Sequence, residues 1–167
     1  MSTNLEEAFD DESLDEPTKY LTFQVGDETY ATSVRHVREI VRMQRITAVP
    51  EVPAYVRGVM NLRGKVIPVM DVRARFELPE RAYDDRTCIV VMQVWDWSVG
   101  LVVDRVADVL DIRPEQVETP RTAQSSRAVA FLSGLAKVGD QVRLILDIER
   151  LLAAPNARER AALAAHG

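Results

Sequence analysis

The feature that most constrains this chain is a series of short β-rich runs joined in pairs by tight polar turns. In KYLTFQV, Leu21, Phe23 and Val25 alternate with Thr22 and Gln24, the period-two signature of a half-buried strand. Gly26-Asp27-Glu28 is a turn, and TYATS resumes an extended segment. GVMNLRGKVIPVMDV reads as strand, tight turn at Arg63-Gly64-Lys65, strand. TCIVVMQV and SVGLVVD flank Trp95-Asp96-Trp97, and FLSGLAKVGDQVRLILDI is again strand, turn, strand. Pro68 lies inside one of these runs. Because proline cannot donate to a ladder, it predicts an edge or a bulge there.

Between the hairpins the spacing changes. SVRHVREIVRM places Val34, Val37, Ile40 and Val41 at helical intervals behind Ser33 as an N-cap, which predicts a helix. DRVADVLDI predicts a short amphipathic helix or bend, and PAYVRG one helical turn opened by Pro53. DIERLLAA predicts a terminal helix that breaks near Pro155. ELPERAYDDR and RPEQVETPRTAQSSRAVA are loops.

The chain also repeats itself weakly. YATSVRHVREIV set above VGLVVDRVADVL aligns Val34 with Val103, Val37 with Val106, Glu39 with Asp108 and Ile40 with Val109. Val69-Met70-Asp71-Val72 aligns with Ile145-Leu146-Asp147-Ile148. The first offset is 69 residues (103 − 34) and the second 76 (145 − 69), so an insertion separates the paired segments. Two copies of a five-strand-like unit of about 65 residues account for this, and units so small commonly close into barrels that remove their sheet edges.

Composition narrows the function. A chain of 167 residues buries about 70% of its unfolded surface and needs no metal or disulfide to fold. The single cysteine, Cys88, excludes a disulfide framework and a Cys-rich metal site. No apolar run reaches the ~18 residues of a membrane-spanning helix. The first residues lack the basic start and apolar stretch of a secretion signal, which predicts a cytoplasmic protein. The net charge of −5 is unevenly placed: Glu6, Glu7, Asp10, Asp11, Glu12, Asp15 and Glu16 precede the first Lys or Arg, leaving 19 acids against 21 bases. Residues 1–18 therefore read as a solvated, disordered acidic tail, with a docking or autoinhibitory role as the alternative. The remainder is near neutral and shows no basic patch for nucleic acid.

Catalytic parts are scarce. His36 and His166 have no partner at metal-ligand spacing, and no phosphate loop, dinucleotide fingerprint or nucleophile elbow is present. Cys88 heads an apolar strand, as a small core or groove residue. Asp71 and Asp147 each follow an apolar strand at equivalent repeat positions, which favours strand-end capping or a salt bridge over catalysis. Trp95 and Trp97 are either an exposed knob or packing over their hairpin. A binding module fits better than an enzyme, with no cofactor and no metal.

The block GVMNLRGKVIPVMDVRARF, from Gly58 to Phe76, preceded by VREI at Val37 to Ile40 and followed by VGLVVDRVADVL, resembles the CheW-like chemotaxis coupling (adaptor) proteins. The likeness runs over residues 19–152. It implies a mainly β fold of two side-by-side five-stranded SH3-like barrels, with short helices, a C-terminal helix and a groove between the barrels. It implies a non-catalytic scaffold that bridges the cytoplasmic tip of methyl-accepting chemoreceptors to the regulatory domain of the histidine kinase CheA. Other CheW-like molecules in array rings are further partners, and membranes are met only through receptors.

Carried over by position, the receptor side comprises Val37, Glu39, Arg63, Cys88, Ile89, Gly100 and Val106. Val37, Ile89 and Val106 would offer aliphatic area, Cys88 would line the same groove, and Gly100 would allow close backbone approach. Glu39 and Arg63 would pair with each other, or Arg63 would fork onto the receptor. Core packing is the competing reading for Val37 and Val106. The kinase side comprises Ile46 and Val66 as an exposed apolar patch. The acidic tail, Trp95-Asp96-Trp97 and the Ala-rich extension at 153–167 depart from the usual pattern, and the chain leaves no room for a receiver domain. Alternatives are a coupling protein for surface motility or gene regulation, a small-molecule-binding barrel, and an enzyme using Asp71, Asp104 or Asp147.

Overall fold

The computed structural model describes residues 19–119 and 127–153. The acidic tail, most of the Ala-rich extension, His166 and the helix break at Pro155 lie outside the described residues.

The chain runs β1 (Lys19–Val25), β2 (Glu28–Ser33), β3 (Val37–Arg42), β4 (Val56–Leu62), β5 (Lys65–Asp71), α1 (Val72–Arg75), β6 (Cys88–Val94), β7 (Trp97–Val103), β8 (Arg105–Asp111), β9 (Val117–Glu118), β10 (Leu132–Val138), β11 (Gln141–Leu146) and α2 (Ile148–Leu152). Two sheets form, in the orders β8-β1-β2-β11-β10-β9 and β3-β6-β7-β5-β4. They are the two SH3-like barrels. The second barrel is continuous in sequence from β3 to β7 and sits between β2 and β8 of the first.

The repeat offsets carry over into strand register. Adding 69 to the β1–β2 pair Tyr20↔Ser33 yields the β6–β7 pair Ile89↔Val102, and both pairs form. Adding 76 to the β4–β5 pair Gly58↔Val69 yields the β10–β11 pair Gly134↔Ile145, and both form. The parallel contacts Ala31↔Ile145 and Gly100↔Val69 correspond through the two offsets together. The third strands are exchanged: β3 follows β2 but pairs with β6, and β8 follows β7 but pairs with β1. Each barrel therefore joins the first two strands of one half of the repeat to the later strands of the other half.

Both segments expected to be helical between hairpins are strands. Ser33 caps only a single 3-10 turn, Val34–His36, by accepting from the Arg35 amide, and β3 begins at Val37. DRVADVLDI is β8. The misleading spacing has a structural cause. The β3–β6 register slips between Val37 and Glu39, and the β8–β1 register slips at the equivalent place. A bulge adds one residue to the period of two, so Val37 and Ile40 fall on the same face, as do Val106 and Val109. A bulged strand thus imitates the i, i+3 pattern of a helix. PAYVRG is a turn closed by the Val56 amide on the Pro53 carbonyl (2.9 Å), leading directly into β4.

Pro68 is not on an edge strand, because β5 lies between β4 and β7. Its missing N–H is tolerated because the ladder to β7 begins only at Val69. The bulge lies opposite, between Val56 and Gly58 of β4. Gly58, at φ 142°, lets Thr47 bridge to Val59, since a Cβ there would stand 2.0 Å from the Thr47 carbonyl oxygen.

Three apolar interiors result. Met60, Ile67, Val69, Ile89, Val91 and Val102 fill the second barrel. Ala31, Ile112, Ala136 and Ile145 fill the first. The largest is shared between them. β6 sends Val90, Met92 and Val94 into it and Ile89 and Val91 into its own barrel, which explains why nearly the whole strand is buried. Phe23, Tyr30, Phe76 and Phe131 run through the shared interior with successive ring centroids 6.2, 5.1 and 5.8 Å apart. Among the described residues, no helix is long and apolar enough to cross a membrane.

Candidate interaction groove

Arg63 is placed by its turn. Arg63 and Gly64 form a two-residue hairpin loop between paired Leu62 and Lys65, with φ of 53° and 84°. Positive φ at both positions is the primed turn whose twist suits a hairpin. The Asn61 side-chain oxygen accepts from the Gly64 amide at 2.8 Å and locks the loop. Arg63 reaches across to β3, where Nη1 and Nη2 donate to the two Glu39 carboxylate oxygens, each at 2.6 Å. This forked pair holds Glu39 below the ordinary carboxylate range, chiefly through the hydrogen bond from Arg63. Of the two arrangements open for Arg63, the free molecule adopts the pairing with Glu39. The arginine side chain keeps 70% of its exposure, so the pair presents an outward-facing polar end.

One residue along β3 the surface becomes concave. Ile40, Val41 and Arg42 of β3, Arg86 and Cys88 at the start of β6, and Arg105 and Val106 of β8 line a groove of about 430 Å³. β3 and β8 are edge strands of different sheets, so the groove lies between the barrels. Its floor is aliphatic, and its rim carries three exposed arginines. Burial pushes the Cys88 thiol up, so it is neutral at physiological pH and acts as a small apolar wall.

Of the sequence-derived receptor-side residues, Glu39, Arg63, Cys88 and Val106 reach this surface. Val37 and Ile89 do not: they are 1% and 0% exposed, with side chains in the shared interior and the second-barrel interior respectively. β6 is buried on both faces, which draws Ile89 inward, and Val37 is the one buried residue of β3. Gly100 is also buried, and the close approach it permits is internal, since a Cβ there would stand 2.7 Å from Ile89 Cγ2. On the kinase side, Val66 is 47% exposed, whereas Ile46 is half-buried against the second-barrel interior. Sequence patterning does not reveal the groove arginines or Ile40 and Val41, because isolated arginines at strand ends carry no pattern and the spacing of the aliphatic pair predicts a helix.

The remaining candidates serve structure. Asp71 caps α1 by accepting from the Ala74 amide (3.3 Å), and also accepts from the Tyr83 hydroxyl (2.7 Å). Asp147 caps α2 through the Arg150 amide (3.1 Å), at the position equivalent by the 76-residue offset. Asp104 accepts from the Gly26 amide and from Arg73, each at 2.8 Å. Trp95 and Trp97 pack edge-to-face at 5.3 Å over their hairpin, with Trp95 half exposed.

Comparison with known proteins agrees with this architecture. The CheW-like domain family matches residues 19–156. The chemotaxis protein CheW of Bacillus subtilis is 36% identical over 135 residues, covering 80% of this chain and 86% of that protein. The chemotaxis protein CheW of Klebsiella aerogenes is 34% identical over 134 residues, covering 80% and 81%. The crystal structure of the scaffolding protein TtCheW from Thermoanaerobacter tengcongensis superposes with a TM-score of 0.77 at 32% identity, covering 83% of this chain and 94% of that one. With the family model matching residues 19–156 and the fold superposing on a solved scaffolding protein, this chain belongs to the CheW-like family.

Proposed function

We propose that this chain is the cytoplasmic, non-catalytic scaffold of a chemotaxis array, coupling chemoreceptor tips to the histidine kinase CheA. The observation that carries the receptor half is the groove between β3 and β8, with the Glu39–Arg63 pair anchored on the β3 residue next to Ile40. An aliphatic floor 430 Å³ in extent, bordered by polar side chains, suits one face of a helix laid lengthwise. Aliphatic area on Ile40, Val41, Cys88 and Val106 supplies burial, while Arg63 fixes register by donating to the helix or by holding Glu39 as an acceptor. Val37, Ile89 and Gly100, being buried, do not touch the receptor. Ile46, packed against the second-barrel interior, and Val66, exposed on β5, contribute to the kinase contact.

Coupling here is mechanical. A molecule that grips receptor and kinase at once transmits a receptor change by altering where the kinase sits, and it signals only if its affinity differs between receptor states. Co-sedimentation with receptor membranes, with and without kinase, tests this directly. The wild type pellets with receptors alone and brings the kinase down with it. Arg63→Ala leaves the melting temperature within a few degrees but weakens receptor co-sedimentation. An Arg63→Ala chain that pellets like wild type removes the Glu39–Arg63 pair from the receptor contact.

A further inference from the structure

The groove and the acidic run are complementary, and they belong to one chain. Arg42, Arg86 and Arg105 are exposed around the groove, and among the described residues none of them enters an ion pair. Arg105 donates only to the neutral Gln24 side chain, at 2.8 Å. Asp104, beside it in sequence, is already held by Arg73 and Arg81. Three like charges around an aliphatic floor are a binding surface for an acidic segment with apolar residues among its carboxylates. Residues 1–18 have that chemistry: seven acids, no Lys or Arg, with Leu5 just before them and Phe9 and Leu14 among them.

Geometry permits the contact. Residue 18 joins Lys19 at the start of β1, and β1 pairs with β8 so that Gln24 lies opposite Arg105. Five residues of strand span about 17 Å. Eighteen residues reach up to about 60 Å when extended, so the segment can turn back over the groove with length to spare. Tethering places it there at about millimolar effective concentration, enough for a weak contact to be populated.

We propose that residues 1–18 dock into the β3–β8 groove, carboxylates against Arg42, Arg86 and Arg105 and Leu5 and Phe9 against Ile40, Val41 and Val106. The segment then competes intramolecularly with whatever the groove binds. That the competitor is a receptor helix rests on the function proposed above; occupancy of the groove by the segment does not.

Cys88 is the only cysteine and lines the groove, so its alkylation rate by iodoacetamide in the native full-length chain reports coverage. At fixed mildly alkaline pH and low salt, Leu5→Ser/Phe9→Ser should be alkylated about threefold or more faster than wild type. Because this variant keeps every charge, the change is not an effect on the thiolate. Glu6→Gln/Glu7→Gln/Asp10→Asn/Asp11→Asn/Glu12→Gln should also be faster, and wild type should approach both in about 0.5 M NaCl, where exposed charges are screened. Amide resonances of Ile40, Val41 and Val106 should shift between wild type and either variant. Equal alkylation rates with unshifted resonances overturn the proposal, as do unshifted resonances alone where the thiol does not react. Titration with a soluble receptor tip separates the two readings. Tighter binding to the variants supports both, whereas faster alkylation with unchanged receptor affinity keeps the docked segment and sinks the receptor groove.

Discussion

The two barrels share one backbone plan and fill it with different chemistry. Met60, Ile67, Ile89, Val91 and Val102 of the second barrel correspond, through the offsets of 76 and 69, to Ala136, Arg143, Tyr20, Thr22 and Ser33 of the first. Only Val69 and Ile145 keep similar side chains. The second barrel is dry and aliphatic. The first spends interior positions on polar groups: the Thr22 hydroxyl donates to the Asp108 carboxylate at 2.5 Å, and Arg143 Nε is, among the described residues, buried without a hydrogen-bond partner. The first barrel therefore leans on the shared interior, where Phe23 and Tyr30 pack. The second holds itself, and it carries Glu39, Arg63, Cys88 and Val66 on its surface. A site that must keep a two-pronged ion pair in register gains from a support whose rotamers are locked by packing.

The largest expected break in this comparison is at equivalent glycines. Gly58→Ala forces a side chain onto φ 142° and into the Thr47 carbonyl, and should cost on the order of 3 kcal/mol in urea unfolding. Gly134→Ala meets Val117 Cγ1 at 2.6 Å, a side-chain end that can move, and should cost about 1 kcal/mol. Next come the interiors. Ile89→Ala should cost about 2–5 kcal/mol, and its counterpart Tyr20→Ala, half-buried, clearly less. Equal costs would mean that the barrels are equally packed.

Thr32→Val probes the shared interior on which the first barrel leans, on the same β2 face as Tyr30. It replaces a buried, unpartnered hydroxyl with a methyl of similar shape and should stabilise by about 1 kcal/mol, measured by the same unfolding curves. The smallest effect is the pH response of the Glu39–Arg63 pair. The folded Glu39 carboxyl lies below its ordinary value of 4.5, so its stabilising contribution is present above that value and is lost as pH falls through the folded one. A carboxyl-carbon NMR titration should find a Glu39 midpoint below 4.5 in wild type, returning toward it in Arg63→Ala.

Sequence periodicity located the hairpins because each has a tight turn between alternating runs, as at Arg63-Gly64 and Gly139-Asp140. It failed at β3 and β8, where a bulge changes the period. Site residues followed the same division. Arg63 was legible because a two-residue turn must project its first residue outward. Ile89 was not, because a strand buried on both faces, as β6 is, gives no sign of which aliphatic residue reaches solvent.

What the residues alone determined is therefore local or repeated: alternation, turns, the equivalent aspartates after two apolar runs, and two offsets that make the halves equivalent. Tertiary structure decided who pairs with whom. β3 and β8 satisfy the same hydrogen bonds and bury the same kind of side chain in either half, so no local preference selects the exchange. Only packing both sheets around one shared interior does, and that choice sets the two edge strands side by side and creates the groove.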